Sequence, residues 1–150
     1  MLTRLLPADV SNYWNLVRWA LHNNMPPHIR ITEEVITNIL ETTMDEASQV
    51  WILHKGDEAN KKETLIGIGV TCIITEPLSK QKSLLIYALV GGMVKAVASD
   101  WEEALVGIRQ FAIGQGCVNI VAYSDVPETI GLVKKLGGNV DVRFLILGVR

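Results

Sequence analysis

The sequence predicts one mixed α/β domain, in which the N-terminal strands are antiparallel, the fourth and fifth strands form a parallel pair, and about four helices flank the sheet. Apolar, β-branched runs between residues 49 and 90 are separated by short polar segments, as in antiparallel strands joined by hairpins. A helical pattern from residue 99 leads into a nearly all-apolar run at 118–123, a crossover that favours parallel pairing. The length of 150 residues, 49% of them hydrophobic and 20% charged, fits one globular domain over residues 1–150.

The N-terminal third is predicted to hold a short strand and two helices. Residues 3–6 form the strand candidate, and Ser11 or Asp9 is placed to cap a helix that ends at about His22, before a pair of prolines. Thr32 is the expected cap of the second helix, because two glutamates follow it in the first turn. Helical spacing predicts the buried faces of the two helices: Val10, Tyr13, Trp14, Val17, Ala20 and Leu21 in the first, and Val35, Ile36, Ile39 and Leu40 in the second.

Three strands are predicted in the middle of the chain. They cover residues 49–54, 64–75 and 83–90, which are apolar or rich in β-branched side chains. The polar segments between them are predicted to be exposed connections. Trp19 and Trp51 interrupt the apolar stripes of their neighbours, so one of the two is expected to be exposed and available to a partner.

The next segment is predicted to be a long helix. Ser99 and Glu102 have the spacing of a capping box, which predicts a helix that opens at Ser99, runs to about Gln115 and ends at Gly116. Apolar residues at helical spacing predict its core face: Trp101, Ala104, Leu105, Ile108, Phe111 and Ala112.

A buried strand, a short helix and a final strand follow. Residues 118–123 are nearly all apolar, which is typical of a strand covered on both faces. Ser124 or Asp125 is the expected cap of the short helix, and two glycines at 137 and 138 end it. Residues 140–149 are predicted to form the last strand, whose apolar edge either pairs with another chain or is covered within the domain.

Composition and charge exclude several functions. The formal net charge is −2 and the basic residues are scattered, so no nucleic-acid partner is expected. No apolar run reaches the roughly 18 residues of a membrane span, and the first apolar run is too short for a signal peptide. Cys72 and Cys117 lie in apolar runs and predict buried thiols of a reducing compartment. The histidines at 22, 28 and 54 lie too far apart to predict a metal site.

The order of elements and three segments of the chain resemble the GNAT superfamily of N-acetyltransferases. Residues 3–9 are similar to the first strand and helix start of that family, and 115–122 to its passage from helix to fifth strand. Residues 132–138 resemble its closing LYEKLGF. The resemblance implies a GNAT-like mixed sheet.

In that family a Q/R-x-x-G-x-G/A loop follows the fourth strand, and its backbone N–H groups bind the pyrophosphate of coenzyme A at a helix N-terminus. In this chain a glycine pair comes early, and acidic residues (Asp100, Glu102 and Glu103) crowd the helix entrance, where they repel a pyrophosphate. The remaining cofactor-binding candidates are Gly91, Gly92, Met93, Val94, Lys95 and Ser99.

The resemblance also implies that the usual catalytic acid is missing. The tyrosine of the family aligns with Val133, its asparagine with Val126 and its final aromatic residue with Gly138. Tyr123 and Ser124 are nearby polar alternatives. Tyr123 is the candidate acid, although its place beside a buried strand favours core packing. Glu76, at a strand end, is the candidate base, with a solvated charge as the alternative.

Three functions remain open at this point. The first is a GNAT-fold protein that has lost acetyl-CoA chemistry, needs no cofactor and acts as a binding or structural component. Its partners would be proteins, as a homo-oligomer or in a bacteriophage particle, because the chain resembles small GNAT-like proteins encoded among virion genes. The second is an active acetyl-CoA-dependent N-acetyltransferase with a divergent loop. The third, a regulatory module that binds another ligand between the fourth and fifth strands, has no residue in its favour. A cytoplasmic or virion-associated location is expected.

Overall fold

A computed structural model describes residues 1–57, 59, 62–91 and 96–149. The strands are β1 (Leu2–Arg4), β2 (Ser48–Asp57), β3 (Lys62–Thr75), β4 (Lys82–Gly91) and β5 (Cys117–Ala122). They form one sheet in the order β1-β2-β3-β4-β5. The first four strands pair antiparallel, whereas β4 and β5 are parallel. The mixed sheet predicted from the sequence is therefore confirmed.

Four helices flank this sheet in the described part of the chain: α1 (Pro7–Asn24), α2 (Glu33–Met44), α3 (Ala98–Gly114) and α4 (Pro127–Lys135). Helix α3 connects β4 to β5, which is the crossover that parallel strands require. None of these helices is long and apolar enough to cross a membrane.

Two hydrophobic layers hold the helices on opposite faces of the sheet. The layer beneath α1 and α2 consists of Val10, Val17, Ala20, Leu21, Ile36, Val50, Ile52, Ile68, Val70, Ala88 and Val90. The layer beneath α3 consists of Trp51, Leu53, Ile66, Leu84, Ala104, Ile108 and Ala112, with Trp101 and Phe111 packed against it. The apolar stripes predicted for α1 and α3 thus face the core.

The cap of α2 is confirmed, because Oγ1 of Thr32 accepts a hydrogen bond from the Val35 N–H at 3.2 Å. The predicted start of α1 is wrong: Leu6 is the N-cap residue, and the helix begins at Pro7 without a side-chain cap. Proline suits this first position, since its ring fixes a helical φ and its missing N–H would have no helical partner.

The predicted starts of the two later helices also need correction. Helix α3 begins at Ala98, and the acidic residue that accepts a hydrogen bond at its start is Asp100 instead of Glu102. The N-cap residue of α4 is Val126, and the Ser124 hydroxyl accepts the Val126 N–H at 3.2 Å just before the helix. The glycine ends are as predicted, because Gly116 and Gly137 both have positive φ.

The predicted final strand is wrong. Residues 141–149, called the tail below, form no strand, and all of them are exposed. A strand needs a partner edge, and the tail pairs with none in the described part of the chain. As a result β5 is an edge strand with an exposed Val118, instead of the fully covered strand that its sequence predicts.

Of Trp19 and Trp51, one is exposed and the other is buried, as predicted. Trp19 is exposed on α1, whereas Trp51 is buried in β2. The indole Nε1–H of Trp51 donates to Oγ1 of Thr71 at 2.8 Å, and that hydroxyl donates to Oε1 of Gln49 at 2.9 Å. All three side chains are buried, so this chain of hydrogen bonds satisfies polar groups inside the α3 layer.

Candidate functional site

The parallel strands separate halfway along β4. Strand β4 stays paired with β3 as far as Gly91, but its pairing with β5 ends where Ile86 lies opposite Ala122. Within the described part of the chain, the β5-facing backbone groups of residues 87–91 therefore have no strand partner. We call the opening between residues 87–91 and the end of β5 the cleft. Its free backbone donors and acceptors suit an extended ligand.

A β-bulge coincides with this separation. Val70 pairs with Ala88 and Thr71 pairs with Ile86, so Tyr87 is the extra residue of β4. A bulge bends its strand and increases the local twist. Because the bulge lies directly after the last β4–β5 pair, it accounts for the divergence that opens the cleft.

The entrance of α3 is occupied by a carboxylate of the helix itself. The Val97 N–H donates to Oδ2 of Asp100 at 2.9 Å. This is one half of a capping box, because a valine side chain offers no acceptor for the reciprocal bond. Oδ1 of Asp100 lies 3.7 Å from Nζ of Lys55, and the Asp100 side chain is only 13% exposed. The positive end of the helix dipole thus already faces a negative charge.

The cofactor-binding candidates are only partly described. Gly91 is the exposed last residue of β4, and a Cβ there would meet no atom within 4 Å, so local packing does not require glycine. Ser99 is exposed in the first turn of α3. The other candidates lie outside the described residues: Gly92, Met93, Val94 and Lys95.

The observed start of α3 shifts the position at which a phosphate-binding loop would lie. The sequence at 93–98 is MVKAVA, and its last residue, Ala98, is the first residue of α3. Against Q/R-x-x-G-x-G/A, Ala96 stands at the first glycine and Ala98 at the last position, where the motif accepts alanine. A prediction that starts the helix at Ser99 misses this spacing.

An aromatic cluster lies at the end of β5. The ring of Tyr123 is 5.0 Å from that of His28 and 4.8 Å from that of Phe144, and the His28 and Phe144 rings are 4.7 Å apart. Tyr123 is half-buried here and belongs to neither hydrophobic layer, so its expected core role is wrong. No local signal in the sequence links the three residues, because only the fold brings the α1–α2 connection, the end of β5 and the tail together.

The positions aligned with the usual acid and its neighbours hold no proton donor. Val133 is a half-buried residue of α4, and Val126 is the exposed N-cap of that helix. A Cβ on Gly138 would overlap the side chain of Val133, so this glycine allows the turn to fold back on α4. An aromatic ring at position 138 therefore conflicts with the observed packing.

Glu76 lies far from Tyr123. Its carboxylate accepts the N–H groups of Leu78 and Ser79 at 3.2 and 2.5 Å in the turn that joins β3 to β4. Hydrogen bonds from Ser79 and then from Leu78 lower the pKa of Glu76 below its ordinary value. This turn precedes β4, whereas the cleft opens at the other end of that strand. The fold does not bring the two catalytic candidates together.

A separate cavity of about 450 Å³ lies on the α3 side of the sheet. The guanidinium of Arg4 stands 5.1 Å from the centre of the Phe111 ring at this cavity. Its lining residues are Arg4, Glu46, Ala47, Gln49, Ile73, Phe111 and Gln115. None of them borders the cleft. Among the described residues, no group of three histidine, cysteine or acidic side chains is arranged to hold a metal ion.

The whole chain is similar in structure to known acetyltransferases. A probable acetyltransferase superposes with a TM-score of 0.71 at 10% identity, covering 100% of this chain and 97% of the other. A predicted acetyltransferase with acetyl-CoA from Clostridium acetobutylicum gives 0.70 at 15% identity, with coverages of 99% and 96%. A ribosomal-protein-alanine N-acetyltransferase from Brucella melitensis biovar Abortus 2308 gives 0.65 at 12%, covering 99% of both chains. No protein-family model and no curated protein matches the sequence. At these identities the likeness concerns the fold alone.

Proposed function

We propose that this GNAT-fold protein has lost acetyl-CoA chemistry and serves as a binding or structural component of a protein assembly. The observation that carries the proposal is the carboxylate of Asp100 at the entrance of α3. It takes the Val97 N–H at 2.9 Å, a donor at the helix end where the family binds pyrophosphate. A diphosphate placed there would meet a poorly solvated negative charge, and the two would repel each other.

The neighbouring residues support the same conclusion. Ala96 stands where the motif has a glycine, and its methyl group limits how closely a backbone can approach a phosphate. Val133 cannot protonate a leaving thiolate.

Calorimetric titration with acetyl-CoA tests this proposal. We expect the wild-type protein to bind acetyl-CoA more weakly than about 1 mM. Asp100→Asn removes the repelling charge but keeps a hydrogen-bond acceptor for Val97, so it should bind acetyl-CoA several-fold more tightly. Asp45→Asn, an exposed change at the end of α2, is the matched control and should leave the titration unchanged. Saturable micromolar binding by the wild-type protein would overturn the proposal.

The nature of the assembly follows from the resemblance to small GNAT-like proteins encoded among bacteriophage virion genes, and we propose a particle-associated role on that basis. The proposal is tested by capturing the tagged chain from cells of its source and identifying the bound proteins by mass spectrometry. Structural proteins of the bacteriophage particle are expected. Recovery of other partners alone would refute the particle-associated role and leave the loss of acetyl-CoA chemistry untouched.

The cleft favours a second candidate, an active N-acetyltransferase, because its free β4 backbone suits an extended thioester ligand. In such a reaction an amine would attack the thioester carbonyl carbon, and the tetrahedral intermediate would collapse with loss of the coenzyme A thiolate. Tyr123 could protonate that thiolate, while the neighbouring His28 accepts the amine proton. Thiol release that depends on an amine acceptor and falls at least tenfold in Tyr123→Phe would establish this function. If the protein has lost acetyl-CoA chemistry, as proposed above, no thiol release is expected.

A further inference from the structure

The cavity on the α3 side of the sheet is lined by a buried side chain with an unused hydrogen-bond donor. Gln49 is 7% exposed and lines this cavity. Its Oε1 accepts the proton of the Thr71 hydroxyl, which has itself accepted the Trp51 indole N–H, and this chain of bonds orients the Gln49 amide. Nε2 of Gln49 donates to no acceptor in the described part of the chain. It is not enclosed either, because Nδ1 of His54 is the only enclosed side-chain atom without a partner among those residues. This nitrogen therefore faces the cavity.

The guanidinium of Arg4 is a second free donor at the same cavity. It lies over the Phe111 ring, and among the described residues it takes part in no ion pair. A guanidinium above an aromatic ring keeps N–H groups at its edge, and these match the two oxygens of a carboxylate.

The register of the sheet brings the two donors to one place. Arg4 pairs with Trp51 across β1 and β2, and Gln49 precedes Trp51 by two residues on the same face. Arg4 and Gln49 are thus diagonal neighbours, and such positions lie about 7–8 Å apart, within reach of long side chains. Both donors can bind one carboxylate.

The other polar groups of the cavity favour a cation. Glu46 lies in the turn between α2 and β2, and it forms no ion pair within the described ranges of the chain. Gln115 is the C-cap residue of α3, whose last turn contains no basic residue. The negative end of that helix dipole is therefore not balanced by a side chain of the helix, and it attracts an ammonium group together with Glu46.

The charges and the size of the cavity define a class of ligand. The formal charges of Arg4 and Glu46 cancel, although the two side chains do not pair with each other. An anion would be repelled by Glu46 and a cation by Arg4, whereas a zwitterion matches both. Ile73 and Phe111 add an apolar wall. The volume of about 450 Å³ falls within the range of about 300–1,000 Å³ for small-molecule sites.

We propose that this cavity binds a free α-amino acid with an apolar side chain. Arg4 and Nε2 of Gln49 bind its carboxylate, Glu46 binds its ammonium group, and its side chain packs on Ile73 and Phe111. The site shares no residue with the cleft or with the entrance of α3. The proposal therefore goes beyond the function given above and does not rest on it.

Calorimetric titration of the wild-type protein with leucine tests the site. We expect saturable binding of one leucine with a Kd below about 1 mM. Isocaproate lacks the ammonium group of leucine, and isoamylamine lacks its carboxylate. Each should bind at least about tenfold more weakly, because each leaves one charge of the cavity unmatched.

Two variants connect this binding to the cavity. Arg4→Gln and Glu46→Gln should each weaken leucine binding at least about tenfold. Glu46→Gln should also strengthen isocaproate binding, because it removes the charge that repels an anion. Both side chains are exposed, so the fold should persist, and far-ultraviolet circular dichroism checks this. The matched controls are Arg109→Gln, an exposed change on α3, and Asp45→Asn, beside Glu46, and both should bind leucine as the wild-type protein does.

Three outcomes would overturn the proposal. A wild-type protein that binds no leucine up to about 10 mM has no such site. Isocaproate binding as tight as that of leucine would show an anion site, in which Glu46 takes no part. Unchanged leucine affinity in both cavity variants would place the leucine elsewhere. None of these results bears on the titration with acetyl-CoA, so the two proposals fail separately.

Discussion

At the scale of single residues, the hydrogen-bonded chain of Gln49, Thr71 and Trp51 is the best-defined polar feature of the interior. The Thr71 hydroxyl acts at once as acceptor for the indole and donor to the amide oxygen. A buried polar group that loses its partner keeps the cost of its desolvation. Valine has nearly the same shape as threonine and differs by a methyl group in place of the hydroxyl. A change of Thr71 to valine therefore tests the hydrogen bonds and not the packing.

Thr71→Val is expected to lower the free energy of unfolding by about 2–3 kcal/mol, because it leaves the Trp51 N–H and the Gln49 carbonyl oxygen unpaired. Urea unfolding followed by tryptophan fluorescence measures the effect. The same change at Thr75, an exposed residue of β3, is the control and should cost less than about 0.5 kcal/mol. Equal stability of the two variants would contradict the role assigned to the buried hydroxyl.

The half-buried thiol of Cys72 and phenol of Tyr87 are expected to make the folded protein less stable at alkaline pH. Burial raises the pKa of the Cys72 thiol above its ordinary value, and burial, followed by the nearby Cys72 charge, raises the pKa of Tyr87. Both groups are neutral in the folded state at a pH where the unfolded chain already releases their protons. Their contribution to stability is complete below the unfolded pKa values of about 9 and 10, declines above them, and is lost as the pH rises through the raised pKa values of the folded state.

We therefore expect the urea midpoint to fall steadily above about pH 9. Tyr87→Phe and Cys72→Ala each remove one of the ionisations, so each variant should show a flatter decline than the wild-type protein. Unfolding curves recorded at several pH values between neutral and strongly alkaline would measure it. Wild-type slopes in both variants would show that other groups cause the alkaline loss.

At the scale of elements, β3 and α3 are in close contact at Gly67. A Cβ at this glycine would lie 3.0 Å from the ring of Trp101, which packs on the α3 layer. Helix α3 carries both Trp101 and Asp100, so this contact also fixes the position of the cleft-side helix entrance relative to the sheet.

Gly67→Ala is expected to destabilise the protein by about 1–2 kcal/mol, because the Trp101 ring must shift to admit the methyl group. Near-ultraviolet circular dichroism should change at the same time, since the ring environment changes. Gly56→Ala is the matched control in β2, where a Cβ would meet nothing within 4 Å, and it should be neutral or slightly stabilising. A neutral Gly67→Ala would mean that α3 is not held by this contact.

Sequence patterns predicted those elements whose signals are local. Thr32 was sufficient to identify the start of α2, because a cap involves neighbours three residues apart. The start at Pro7 was missed, since a helix that begins with proline needs no capping side chain. The tail has the composition of a strand, but strand formation depends on an available edge, which the pattern of one segment does not reveal.

The candidate site was less predictable for the same reason. The acidic entrance of α3 was evident from adjacent residues, although the specific acceptor, Asp100, depended on an N-cap two residues earlier, at Val97 instead of Ser99. The bulge at Tyr87 and the contact of His28 with Phe144 depend on strand register and on chain crossings. These features follow from the fold of the whole domain.

At the scale of the whole molecule, the short parallel ladder from Lys82 to Ile86 has a mechanical consequence. Within the described residues β5 makes no other strand pairing, so the last quarter of the chain is attached by this ladder, by side-chain contacts with α3 and by the ring contacts with His28. Opening that one seam would release β5, α4 and the tail together as a cooperative unit, while the antiparallel strands stay closed. Brief protease treatment of the protein should therefore cut first near Gly116, and would leave the N-terminal strands as a resistant fragment.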